Sequence, residues 1–427
     1  MTRFQLMLTL FISLLAPYVC WSFKYAVPAT TGVPRLTQLR ATDLQVETSY
    51  WLTDEGLSLE VLSTNRAAAA GASREPVGDG AFTGAPKWPP RTGLGRLWQR
   101  VVQSISQEDE SEERPPPVLF VHGSYHGAWC WSEQYFDYFV AQGHACYAIS
   151  LRGTSGTGMP PDDTSSTVYL SQHVSDVKTA LRKMAEVERG AKPLLVSHSF
   201  GGIIAMALLE DKAVRDGLAG AVFLCSVPPS GNGPMTKRFV RRSPCKAVQI
   251  VRGFVFKQAT SNLNICRQLF FDQSVRDESI IRYMRNFMAD SRVGLDLADV
   301  SVNLPSLRMN TDGTAPWLTS KQSIDGVRGP ERSNMKAKEY ANTNAYDNAS
   351  TNANGNDSAV ANPLPVLVLG ARDDYIVDEE GVKETAAYFG VEPVLIPDLY
   401  HDVMLGPKAS LAAAAVIKWW NAQGEER

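Results

Sequence analysis

The segment Leu194-Leu195-Val196-Ser197-His198-Ser199-Phe200-Gly201-Gly202 constrains this chain more than any other. An apolar strand, Pro193 to Val196, runs straight into a helical pattern, Gly201 to Glu210, with only a sharp turn between them. A residue at the tip of such a turn has strained backbone and an exposed side chain. The residues two before and two after it nearly touch, so both must be small. Around Ser199 they are Ser197 and Gly201. The usual pattern has glycine at both places; here serine, small and polar, stands at the first. A plainer reading, a helix start capped by Ser199, is less consistent with the strand that leads into it.

The flanking sequence supplies a sheet for this turn. Val118 to Val121 is a short continuous apolar run, the mark of a buried parallel strand. A helix is expected from about Ala128 to Gln142, closed by Gly143, and a strand from Cys146 to Ile149. Leu170, Val174, Val177, Leu181 and Met184 mark one helical face. Ala221 to Cys225 is a strand. Further on, Val366 to Leu369 and Pro393 to Ile396 read as strands, Glu379 to Phe389 and Ala412 to Trp420 as helices. This alternation predicts an α/β fold: a mostly parallel sheet flanked by helices. Upstream, Tyr50 to Thr53 and Leu57 to Leu62 flank Asp54-Glu55-Gly56, a hairpin signature.

Two stretches break the pattern. Residues 66–114, rich in Ala, Gly, Pro and charge, and the Asn-rich residues 305–362 are expected to be disordered insertions, because neither offers enough apolar surface to offset its ordering entropy. A short helix between Leu94 and Ile105 is the exception anticipated within the first. The second holds two sequons, at Asn348 and Asn356, of the kind that Asn-rich sequence generates by chance. Residues 228–304 give mainly helical patterns and are expected to form a cap over the sheet. The core then comprises residues 44–65, 115–227 and 363–427.

The first residues read as a leader. Arg3 precedes an apolar run, Leu6 to Ala16, then Pro17 and Cys20-Trp21-Ser22, the layout of a signal peptide over residues 1–22. The run is short for a membrane span, so no stable span is expected after cleavage. Residues 23–43 carry Lys24, Arg35 and Arg40 with hydroxyl-bearing residues, in the manner of a transit peptide. Together they resemble the bipartite plastid leader of algae with complex plastids. The expectation is passage through the secretory route to a plastid, with secretion as the alternative. A net charge of −3 gives no electrostatic reason to expect a nucleic-acid partner. Of six cysteines, Cys20 falls in the leader, and the rest read as free thiols rather than a disulfide framework.

The segment His122-Gly123-Ser124-Tyr125-His126-Gly127-Ala128-Trp129-Cys130-Trp131 resembles the H-G-x-x-H-G-A-W-C-W stretch of α/β-hydrolases, found in plant methylesterases and hydroxynitrile lyases. Gly370 through Val377 and His401-Asp402-Val403-Met404-Leu405 are similar to the acid and histidine motifs of those proteins. The resemblance implies the α/β-hydrolase fold with a helical cap, and serine hydrolase chemistry without a cofactor or metal. It also implies the chain order nucleophile, acid, histidine. Of the six histidines only His401 lies beyond the helix that follows Ser199, so it is the expected base. Asp373 and Asp374 compete for the acid; the register of the family motif selects Asp374. The oxyanion donors implied are the backbone N–H groups of Ser124 and Phe200. His122 is expected to be a structural strut.

The partner implied is a small or medium apolar carboxylic ester. Tyr125, Phe270 and Phe271 are the expected pocket residues, with Phe254, Phe256, Leu269, Phe287 and Met288 as further apolar groups of the cap. Two other readings share the motifs: a hydroxynitrile-lyase-like C–C lyase, and a receptor-like protein with slow turnover. The fold alone does not separate them.

Overall fold

The computed structural model describes residues 44–64, 114–160, 163, 167–318 and 364–425. The expected leader, the 66–114 insertion apart from Arg114, the helix near Leu94 and both sequons lie outside the described residues.

The described residues form ten strands: β1 (Val46–Leu52), β2 (Ser58–Thr64), β3 (Val118–Val121), β4 (Cys146–Ile149), β5 (Thr167–Val168), β6 (Leu194–His198), β7 (Gly220–Leu224), β8 (Gly294–Leu295), β9 (Val366–Ala371) and β10 (Pro393–Ile396). Eight of them form one sheet in the order β1-β2-β4-β3-β6-β7-β9-β10. The β1–β2 hairpin joins β4 antiparallel, and every pairing from β4 to β10 is parallel. Every residue of β3, β4, β6 and β7 is buried, which is why these strands read as unbroken apolar runs rather than as alternation. Leu170–Val187 is an amphipathic helix that buries Leu170, Val177, Leu181 and Met184. Within the core the buried Arg152 grips Asp176 through two hydrogen bonds of 2.8 and 3.0 Å and meets Glu55 of the hairpin turn at 2.8 Å. A buried guanidinium needs such pairing to offset its lost hydration.

The structure departs from expectation in three places. The helix expected over 128–142 is two short helices, Trp129–Ser132 and Tyr135–Val140, with Gln134 at φ −152° between them. Tertiary partners compete at the break: Glu133 pairs with Arg282, and the Tyr135 hydroxyl donates to the Val403 carbonyl at 3.3 Å. The 228–304 cap contains the helices Asn232–Arg242, Pro244–Phe254, Leu263–Phe270, Asp277–Asp290 and Leu297–Val302, but also β8, which pairs with β5 of the core. Residues 305–318, expected to open the second insertion, are instead ordered against the core. The Asn310 side-chain amide donates to Thr314 Oγ1, Ala315 O and Leu318 O at 2.8–3.0 Å. Ala315 N donates to Tyr388 O at 2.7 Å, and Arg215 lies 4.9 Å over the Trp317 ring.

Among the described residues five cysteines are free thiols, four of them buried. None of the described helices is long and apolar enough to cross a membrane.

Candidate active site

Ser199 sits at the C-terminal end of β6, where the helix Phe200–Leu208 begins, with φ 54° and ψ −121°. A left-handed φ at a residue with a side chain costs on the order of 1–3 kcal/mol and persists only when the surroundings enforce it. Three hydrogen bonds of 2.8–3.0 Å do so: Ser199 N to Leu224 O, Val227 N to Ser199 O, and Cys225 N to Leu369 O. The small neighbours have distinct reasons. A Cβ on Gly201 would lie 2.6 Å from the His122 carbonyl oxygen, so glycine is required there. Ser197 is tolerated because its hydroxyl turns toward β7 and donates to Val222 O at 3.1 Å.

The structure brings Ser199, His401 and Asp374 together. The Ser199 hydroxyl donates to His401 Nε2 at 3.0 Å, and His401 Nδ1 donates to Asp374 Oδ2 at 2.8 Å. The other carboxylate oxygen of Asp374 accepts from Ile376 N at 2.7 Å and Val377 N at 2.9 Å, which fixes its plane. Asp373 points elsewhere and accepts from Asp398 N at 3.0 Å. With a carboxylate at Nδ1 the proton stays on that nitrogen, and Nε2 is free to accept from the serine. Asp374→Asn is therefore expected to lower kcat by about 10⁴ through the wrong tautomer. Asp373→Asn should stay within a few-fold of wild type. Steady-state kinetics of the two variants check this, and a larger loss for Asp373→Asn would reverse the assignment.

The turn after β3 lies against the serine. A Cβ on Gly123 would sit 2.7 Å from Ser199 Cβ, so only glycine lets this turn approach so closely. Ser124 follows it, and Phe200 opens the helix, where the first N–H groups have no intrahelical acceptor. His122 is the strut expected of it: Nε2 accepts from Leu151 N at 2.9 Å, and Nδ1 donates to Gly123 O at 2.7 Å. That pattern requires the neutral ring, and burial holds its pKa down to about 3.

The cap closes over this centre, leaving Ser199 only 7% exposed. The Tyr125 hydroxyl donates to Phe254 O of the cap at 2.8 Å, and its ring packs against Phe254, Phe270 and Phe287 at 5.3–6.4 Å. Phe270 stands 6.1 Å from the His401 ring. Phe270 ends its helix and Phe271 follows in extended backbone; the Phe271 ring lies 6.1 Å from Phe270, 6.4 Å from Phe287 and 5.5 Å from Tyr283. Leu269 is fully buried, while Phe256 and Met288 are each 54% exposed and face outward.

Sequence reasoning gave no role to His126, although the residue lies in the motif quoted for the family, nor to His198 or Asp402. All three surround the centre. His198 Nε2 donates to His401 O at 2.9 Å, and His126 Nε2 meets Asp402 Oδ2 at 3.1 Å. Two groups of metal-ligand type occur among the described residues, His198–His401–Asp402 and Cys225–Asp374–His401. Both need His401, whose two nitrogens are already engaged.

Residues 118–414 match a family model described as the Alpha/beta hydrolase family. The chain is 32% identical over 119 residues to methyl jasmonate esterase 1 of Vitis vinifera, covering 28% of this chain and 42% of that protein. It is 36% identical over 118 residues to norfluorocurarine synthase 2 of Strychnos, covering 27% of this chain and 40% of that protein. The matched stretches thus span less than half the length of these relatives. Among solved structures it is similar to a thermophilic esterase from Thermogutta terrifontis, with a TM-score of 0.46 and 17% identity over 72% of this chain and 90% of that one.

Proposed function

Because this chain belongs to the alpha/beta hydrolase family, we propose that it is a serine esterase that cleaves small or medium apolar carboxylic esters through an acyl-enzyme on Ser199. The observation that carries the reading is the unbroken hydrogen-bonded row Asp374–His401–Ser199, with its serine on a strained turn. His401 Nε2 takes the Ser199 proton as Oγ attacks the ester carbonyl, then delivers it to the leaving alkoxide. Water attacks the acyl-enzyme by the same proton path in reverse. Asp374 holds the imidazolium that forms in each half-reaction. The N–H groups of Ser124 and Phe200 receive the oxyanion, and each such donor contributes about 3 kcal/mol to the transition state.

The aromatic surround of Tyr125, Phe254, Phe270 and Phe287 supports an apolar acyl or alcohol group. The methylester-cleaving name of the grapevine relative points the same way. A panel of p-nitrophenyl acyl esters tests the reading, together with labelling by a fluorophosphonate. Labelling at Ser199 and a kcat/KM that climbs with acyl length to a maximum and then drops are the expected results. A protein that does not label, or that prefers charged acyl groups, would contradict the reaction or the substrate class respectively.

A further inference from the structure

His126 takes no part in the acyl transfer just described, yet its fully buried ring joins the two loops on which that chemistry depends. Nδ1 lies 2.8 Å from the carbonyl oxygen of Ser124, in the oxyanion turn. Nε2 lies 3.1 Å from Oδ2 of Asp402, the residue that follows His401. A carbonyl oxygen and an ionised carboxylate are both acceptors. A neutral imidazole has one N–H, so it would satisfy one contact and set lone pair against lone pair at the other. Both contacts are made together when both nitrogens carry hydrogen.

The surroundings favour that state. Burial by itself lowers the pKa of His126, but the Asp402 carboxylate, the Ser124 carbonyl and Asp290 of the cap outweigh it, and the net direction is upward. The other titratable groups nearby, His122, His198 and Cys130, are held in their uncharged forms by burial. The remaining walls are aromatic: Trp129 stacks on the His126 ring at 5.7 Å, and Phe287 and Phe270 meet it edge-on at 4.7 and 6.1 Å. Asp402 is fastened a second time, since its N–H donates to the Phe270 carbonyl at 3.1 Å. His198 holds the His401 carbonyl from the other side.

We propose that His126 is a positioning residue: as an imidazolium bridging the Ser124 carbonyl and the Asp402 carboxylate, it sets the oxyanion turn in register with His401. The inference rests on the esterase reading, because it assigns His126 a role through Ser124 and His401. Freed from the bridge, the donor and the base can each shift while substrate binding is little changed, and a displacement of about 1 Å near reacting atoms costs about 10² in rate.

Three measurements test this. Histidine ¹⁵N NMR of the wild-type protein at pH 8, with the signal assigned by its loss in His126→Gln, should show two N–H groups on this ring. Kinetics of His126→Gln and Asp402→Ala should show kcat lowered about 10²-fold with KM nearly unchanged. Asp402→Asn should recover part of that loss, since its amide donates to a neutral His126 and restores the bridge. A ring with one N–H at pH 8 overturns the proposal, and so does wild-type kcat in a folded His126→Gln or Asp402→Ala. Where neither variant folds, the His126 signal is assigned instead by its shift in Asp402→Asn, and that reading with the Asp402→Asn kinetics decides it. Failure of the wild-type protein to react with fluorophosphonate would instead strike the esterase reading, and the ring protonation would still be read independently.

Discussion

Ser199→Ala is expected to lower kcat by about 10⁶ and to abolish fluorophosphonate labelling, while leaving the melting temperature at or above the wild-type value. The first half follows from the proposed chemistry: without Oγ there is no nucleophile, and serine, histidine and aspartate act as one unit. The second half follows from the backbone. Ser199 makes no capping hydrogen bond to its helix, so its hydroxyl contributes little to the fold beyond the contact with His401. The strain at φ 54° belongs to the turn, and alanine carries no more of it than serine does. Ser199→Gly should be more stable still, by about 1 kcal/mol, because glycine accepts a left-handed φ at no steric cost. Thermal melts alongside the kinetics check both halves. A Ser199→Ala protein that keeps measurable turnover would remove the mechanism. One that melts well below wild type would show that the hydroxyl has a structural role the geometry does not indicate.

The second large effect concerns acid. His122 and His173 are each held neutral by burial, with pKa values lowered to about 3, and burial also pushes His198 well below its usual value. His144 is shifted in the same direction, again chiefly by burial. These histidines bind protons in the unfolded chain below about pH 6.5 but not in the folded one, so stability is full above that pH and declines as pH falls toward the folded values. Each such histidine costs about 1.4 kcal/mol per pH unit. Three of them give a slope of about 4 kcal/mol per unit, steep against the 5–15 kcal/mol that holds an ordinary domain together. His126, raised rather than lowered, has the opposite sign: it contributes stability below its unfolded pKa that is lost as pH rises through the folded one. Denaturant midpoints at pH 7, 6 and 5 should therefore fall sharply. Calorimetric unfolding at pH 5 should take up about three protons from buffer. An uptake near zero would mean that these rings are already charged in the folded protein.

The parts of this structure legible in the sequence are those set by short-range rules. Burial on both faces makes β3, β4, β7 and the first three residues of β6 free of polar side chains, so the existence of these strands and their order along the chain could be read directly. Ser199 and His401 were legible because the elbow demands small neighbours and because no other histidine follows that helix. Asp374 could be separated from Asp373 only by family register, since the distinction rests on which carboxylate faces His401. Polar composition hid residues 305–318, where the two N–H groups of one asparagine side chain reach three acceptors that a composition argument does not count. The His126–Asp402 bridge spans 276 positions in the chain, and nothing local to either residue announces the other.

The position of β9 has a consequence for covalent continuity. This strand lies between β7 and β10, and residues 319–363 join the part of the chain before them to the part that begins just ahead of β9. Ser199 is on the earlier part; Asp374 and His401 are on the later one. A peptide bond cut anywhere in 319–363 would leave a two-piece protein whose pieces share one strand pairing, Ala221 to Leu224 against Val366 to Leu369, and whose proposed nucleophile and base come from different polypeptides. Neither piece could act alone, so turnover after such a cut would report reassociation of the halves, and the same division offers a natural seam for a split enzyme.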